Sequence, residues 1–212
     1  MRRLIMLCVV LSLAGCESAY YGMQENVFGN LKNDLLKDRV EDAVVAQEDA
    51  KEEFQSALEQ FEAVVGVPEG ELKQTYNRLN DAYEDALSEA QDVGDRIDAV
   101  ENVADDLFDE WEAELEEYSD GNLRRQSAAD LKRSRQDASA LVKTMRRAES
   151  RMEPVLDAFQ DHVLYLKHNL NAQAISALRG ELGTIENNVG RLIRDMEASI
   201  AEAREFIEKW DR

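Results

Sequence analysis

The chain has 212 residues, with 45 acidic against 25 basic side chains and a formal net charge of −20. That balance excludes a nucleic-acid binder, because it repels phosphates, and argues against a protein that lies flat on anionic lipid. Ten Gly, two Pro and 7% aromatic residues, beside abundant Ala, Glu, Leu and Arg, point to long helices or coiled coil.

The chain opens with Met1, Arg2 and Arg3, then an apolar run from Leu4 to Ala14. A positive start before a short apolar run is the pattern of a secretory signal. As a helix the run rises only ~16 Å, whereas a bilayer core needs ~30 Å, so it is not a membrane span. Leu13-Ala14-Gly15-Cys16 then matches the bacterial lipobox. Small residues admit the peptidase, and the Cys16 thiol is the nucleophile that takes the diacylglycerol. The expected cut lies between Gly15 and Cys16. Cys8 leaves with the signal and Cys16 is consumed by lipid, so no thiol remains for a disulfide, a metal or catalysis. Loss of Arg2 and Arg3 leaves 23 basic against 45 acidic residues, a balance of −22. Glu17 follows the cysteine where Asp would hold a lipoprotein in the inner membrane of enteric bacteria. The expected location is therefore the outer membrane, facing the periplasm.

Residues 17–30 carry Gly22, Asn26, Gly29 and Asn30 without a clear period. They are expected to form a flexible tether, so the division is 1–15 signal, 16–30 lipidated Cys16 and tether, and 31–212 a single helical domain.

A helical period begins at Leu36 and continues through Val40, Ala43, Gln47, Ala50, Phe54, Ala57, Phe61 and Val64. Gly66-Val67-Pro68 is expected to end this helix and start the next. The second seam, from Leu72 through Tyr76, Leu79, Tyr83, Ala86, Ala90, Val93, Ile97, Val100, Ala104 and Leu107 to Trp111, alternates steps of four and three without a slip. That is a coiled-coil seam. Ser119-Asp120-Gly121-Asn122 reads as a turn. The third seam runs from Leu131 through Ser134, Ala138, Leu141, Met145, Ala148, Met152, Val155, Phe159 and His162 to Leu166. It keeps phase across Pro154, which predicts a kink and not an end. Asn169 to Asn171 is expected to break the helix before a fourth seam from Ile175 to Trp210.

The turn at Asp120-Gly121 makes the second and third helices antiparallel, so facing residues have numbers that sum to about 241 or 242. Leu107 then faces Ser134, Val100 faces Leu141 and Tyr83 faces Phe159. The same sums set Glu117 near Arg124, Glu116 near Arg125, Asp109 near Lys132 and Asp106 near Arg135. Each exposed pair contributes only ~0.2–1 kcal/mol, but a slipped register would oppose like charges. In the first hairpin the sums are about 136 or 137, which brings Phe54, Tyr83 and Phe159 into one layer. The predicted fold is all-α: an elongated antiparallel coiled coil, or four-helix up-down-up-down bundle. The alternative is a three-helix rod whose last helix runs on through Asn171.

Candidate chemistry is sparse. His162 and His168 are six apart on one helix and point to different sides, so they cannot share a metal; His162 reads as a structural core histidine. Asp105 to Asp120 (DDLFDEWEAELEEYSD) is dense in carboxylates but lacks the spacing and glycine of a calcium loop. Gln47 in an apolar seam can set register. No nucleophile elbow, phosphate loop, dinucleotide turn or H-E-x-x-H occurs. No catalytic residue, cofactor or metal site is expected.

The lipobox together with "CESAYYG", "DRVEDAVVAQEDAKEEFQSALEQF", "LFDEWEAELEEY", "RAESRMEPVL" and "VLYLKHNLNAQAI" resembles the proteobacterial lipoproteins catalogued as domain of unknown function 2959. The resemblance covers nearly the whole chain. It implies an all-helical lipoprotein and carries over no site residue.

The functional expectation is a non-enzymatic envelope protein held to the membrane by lipid on Cys16, which binds another envelope protein or itself. The alternative is an acidic, stress-related module that takes up cations or cationic compounds.

Overall fold

The computed structural model describes residues 17–66 and 71–210, with side chains from residue 32 onward. Gly15, Cys16 and the rest of the signal region lie outside the described residues, as do Val67 and Pro68.

Five helices follow in chain order: α1 (Glu17–Gly66), α2 (Leu72–Glu114), α3 (Gly121–Glu149), α4 (Met152–His168) and α5 (Ala172–Trp210). A 3-10 turn, Leu115–Glu117, ends α2. No strand occurs among the described residues. α3 and α4 together make the third of four long rods, and each rod runs opposite to the one before it. α1 packs on α2 and on α5, α2 on α3 and α4, and α5 on α3 and α4, so the rods form a closed square. This is the up-down-up-down bundle.

The core follows from the seams. Leu36, Val40, Ala50, Phe54, Ala57, Phe61 and Val64 of α1 are fully buried, as are Leu79, Ala86, Val93 and Ile97 of α2. Leu141, Met145, Ala148 and Phe159 continue it on the third rod, and Val189, Leu192, Met196 and Ala203 on α5. Each large apolar side chain so buried contributes about 1.5–3 kcal/mol. In a square bundle every helix meets two neighbours, so the buried stripe is wider than one seam. Val44, Ala82, Phe108, Val142, Leu156, Val163 and Phe206 are buried beside the seam positions.

Four expectations change. First, α1 begins at Glu17, so helix covers residues 17–30 where an irregular tether was expected. Gly22 and Gly29 cost about 1 kcal/mol each in a helix but do not stop it, and no proline intervenes. Second, the three-helix rod is ruled out. Asn169 leaves helical geometry at φ −135°, ψ 58°, and Asn171 Oδ1 caps α5 by accepting from the backbone N–H of Gln173 and Ala174 at 3.0 and 3.1 Å.

Third, the irregularity expected at Pro154 falls at Ser150 and Arg151. Proline lacks an N–H, and its ring collides with the carbonyl four residues earlier, that of Ser150. The ladder tightens there: Arg151 N–H donates to the Ala148 carbonyl, three residues back, at 3.1 Å. Both residues keep helical dihedrals, so the rod kinks and continues. Fourth, the Phe159 ring packs on Phe61, which the hairpin sums did not place beside it: the two rings stand edge to face, 6.3 Å between centroids, across the diagonal of the bundle.

Candidate functional site

The turn that reverses the chain between α2 and α3 is built from one carboxylate. Asp120 is the N-cap of α3, and its Oδ1 accepts from the backbone N–H of Asn122 at 2.6 Å and of Leu123 at 3.2 Å. Orphan donors of the first helical turn are thereby satisfied. Above it, Trp111 Nε1 donates to Ser127 Oγ at 2.8 Å and ties α2 to α3.

A belt of ion pairs then zips the two helices. Arg124 pairs with Glu116, and Arg135 bonds Asp109 and Glu112, each at 3.1 Å. Arg146 lies among Asp98 and Glu101 of α2 and Glu149 of its own helix. Burial works against the Arg146 charge, but the hydrogen bonds to Glu101, Asp98 and Glu149 outweigh it and hold its pKa above the ordinary value.

The acidic run of α2 and the basic run of α3 therefore face each other as expected, but the individual partners move by up to six residues. Arg135 takes Asp109 and Glu112 in place of Asp106; Arg124 takes Glu116 in place of Glu117; Asp109 goes to Arg135 and not to Lys132. A long helical side chain leans towards its own N-terminus, so Arg135 and Arg146 reach the part of α2 nearer the turn.

The carboxylate-rich stretch from Asp105 to Asp120 is drawn into this belt and into a pair between Glu110 and Lys32 of α1. Among the described residues no group of three or more His, Cys, Asp or Glu side chains is placed to hold a metal ion. His162 and His168 stay apart: His168 is exposed, and the His162 ring lies edge to face on Phe61. Burial lowers the His162 pKa, against the opposing charges of Glu181 and Asp161. Gln47 is 1% exposed, and neither its amide nitrogen nor its oxygen has a hydrogen-bond partner. Ser199 of α5 is fully buried with an unpartnered hydroxyl, a feature the seam pattern hides because it sits beside Ile200.

A concave feature was missed altogether. Where α3 kinks into α4, a groove of about 890 Å³ opens against α2. Tyr83, Leu87, Ala90, Gly94, Met152 and Leu156 supply its apolar lining, and Asp95, Asp98, Glu149, Glu153 and Asp157 its carboxylates. The sequence signals were a glycine inside an unbroken seam and a proline one turn past the kink.

Among the described residues no helix is long and apolar enough to cross a membrane. No curated protein matches the chain. The pattern of residues that builds these helices and turns is nevertheless shared, from just after Cys16 almost to the C-terminus: the chain belongs to the family described as Protein of unknown function (DUF2959), whose model matches residues 20–210.

Proposed function

We propose that this protein is a lipid-anchored, periplasm-facing helical bundle of the bacterial envelope that works by contact with another envelope protein or a second copy of itself, without catalysis. The observation that carries the reading is Leu13-Ala14-Gly15-Cys16 behind Arg2, Arg3 and the short apolar run. Glu17 after the cysteine favours the outer membrane. The bundle supports the reading in kind: its long rods, held by apolar seams and exposed ion pairs, suit a spacer or contact surface.

The test is substitution of the anchor. Cys16→Ser is expected to abolish incorporation of a palmitate analogue and to leave the protein soluble or as unprocessed precursor. Equal labelling of wild type and variant overturns the anchor. Reversible crosslinking in intact cells tests the rest, with a specific partner or self-contact expected. Recovery of neither overturns the interaction role.

A further inference from the structure

We propose that the groove at the α3–α4 kink is a binding site for an elongated organic dication, two ammonium centres joined by an apolar chain. Its volume of about 890 Å³ falls in the range of small-molecule pockets, ~300–1,000 Å³. The apolar lining accepts a hydrocarbon chain, and the carboxylates select the charge. The one arginine there, Arg146, is already held by Asp98, Glu101 and Glu149. Asp95, Glu153 and Asp157 form no ion pair among the described residues, although Asp95 lies in the field of Arg96, which is itself bonded to Asp92.

A second, independent observation is Tyr83. It lines the groove, is only 9% exposed, and has no hydrogen-bond partner among the described residues. A quaternary ammonium over a tyrosine ring is attracted by its π face. Burial raises the Tyr83 pKa, and Asp157 raises it further, which sets that carboxylate at the Tyr83 end. Asp95 lies twelve residues along α2, ~18 Å away. A ten-methylene chain capped by ammonium groups has a length of that order. Gly94 makes room for the Glu149 carboxylate at the groove's edge: a Cβ there would stand 3.0 Å from Glu149 Oε1.

The test uses the processed chain in zwitterionic nanodiscs, with empty discs as blank, and equilibrium dialysis of decamethonium. Saturable binding of one decamethonium per chain is expected, and sebacate, a chain of similar length with two carboxylates, is expected not to bind. Gly94→Leu puts a side chain into the groove without changing charge, at the point where a Cβ already meets the far end of the Glu149 side chain. It is expected to weaken binding at least about tenfold in a chain that still melts cooperatively. Should it fail to fold, the paired Asp95→Asn and Asp157→Asn variant carries the same expectation. Absence of saturable binding at about 1 mM, equal uptake of sebacate, or binding untouched in the folded variant each overturns the site.

Discussion

The imidazole of His162 stands against the ring of Phe61, 5.2 Å between centroids and 60° between planes, across the diagonal that joins α1 to α4. Burial disfavours the charged ring there, so its pKa in the folded chain lies below the ordinary 6.5. Between those two values the unfolded chain binds more protons than the folded one.

The first prediction follows from that sign. The stabilisation contributed by neutral His162 is complete above pH 6.5 and is lost as pH falls through the folded pKa. His162→Phe keeps an aromatic ring on Phe61 and removes the titration. Thermal melts from pH 7.5 to pH 5 are expected to show a smaller loss in the variant. Glu53, raised chiefly by burial and then by Asp85, Glu89, Glu52 and Asp49, acts in the opposite direction at lower pH. It is present in both proteins, so the difference between the two curves isolates the histidine. Parallel curves would refute the assignment.

Gln47 supplies the second prediction. A buried amide without partners costs about 1–3 kcal/mol relative to an apolar group of similar size. Gln47→Leu is expected to raise the free energy of unfolding by about that amount in a urea titration. A loss of stability would mean that the amide is satisfied in solution by water.

Register is the subject of the third. Val100 and Leu141, both about 1% exposed, are the pair that the expected hairpin register sets opposite each other. Cysteines at these two positions are expected to oxidise to a bridge, given a Cα separation near ~6 Å. Cysteines at Val100 and Ala148 are expected not to, because about 10 Å along the axis separates them. Mobility on a non-reducing gel distinguishes the pairs, and the reverse outcome would overturn the register.

Asp120 carries the fourth. Its loss leaves the first amides of α3 without an acceptor. Asp120→Ala is expected to cost about 1 kcal/mol and Asp120→Asn a few tenths, measured by chemical denaturation. Equal effects of the two substitutions would show that the cap contributes little.

Which of these features was legible beforehand follows from the range of the physics involved. The seams of α2 and α5 and the turn at Asp120-Gly121 depend on residues within a few positions of each other, and they were readable. The groove was not, because it needs Gly94 and Glu149, far apart in sequence, to be set side by side. Phe108 and Phe206 were passed over for a related reason. Each is one position off the 4-3 seam, and each is buried because a second neighbouring rod covers it. Their partner is Trp210, stacked on Phe206 at 5.0 Å and edge-on to Phe108 at 6.5 Å. The charge belt was legible as two opposed blocks but not pair by pair, since a pairing rule based on backbone level ignores the lean of the arginine side chain.

The contact between α1 and α5 has a consequence for the order in which the molecule is made. Arg204 of α5 pairs with Glu48 of α1, and Arg179 donates to the carbonyl of Val65 at 2.9 Å. The first and last rods thus cover one another, across the longest separation the chain offers. Hairpins joined by short turns form from neighbouring residues and close early, whereas a contact between distant segments waits on the slow loss of chain entropy. A nascent chain holding only α1 to α4 has one side of α1 uncovered until residues 172–210 emerge. Docking of α5 is therefore the last step of folding, and a chain cut short before α5 presents an open apolar stripe that invites aggregation or capture by a chaperone.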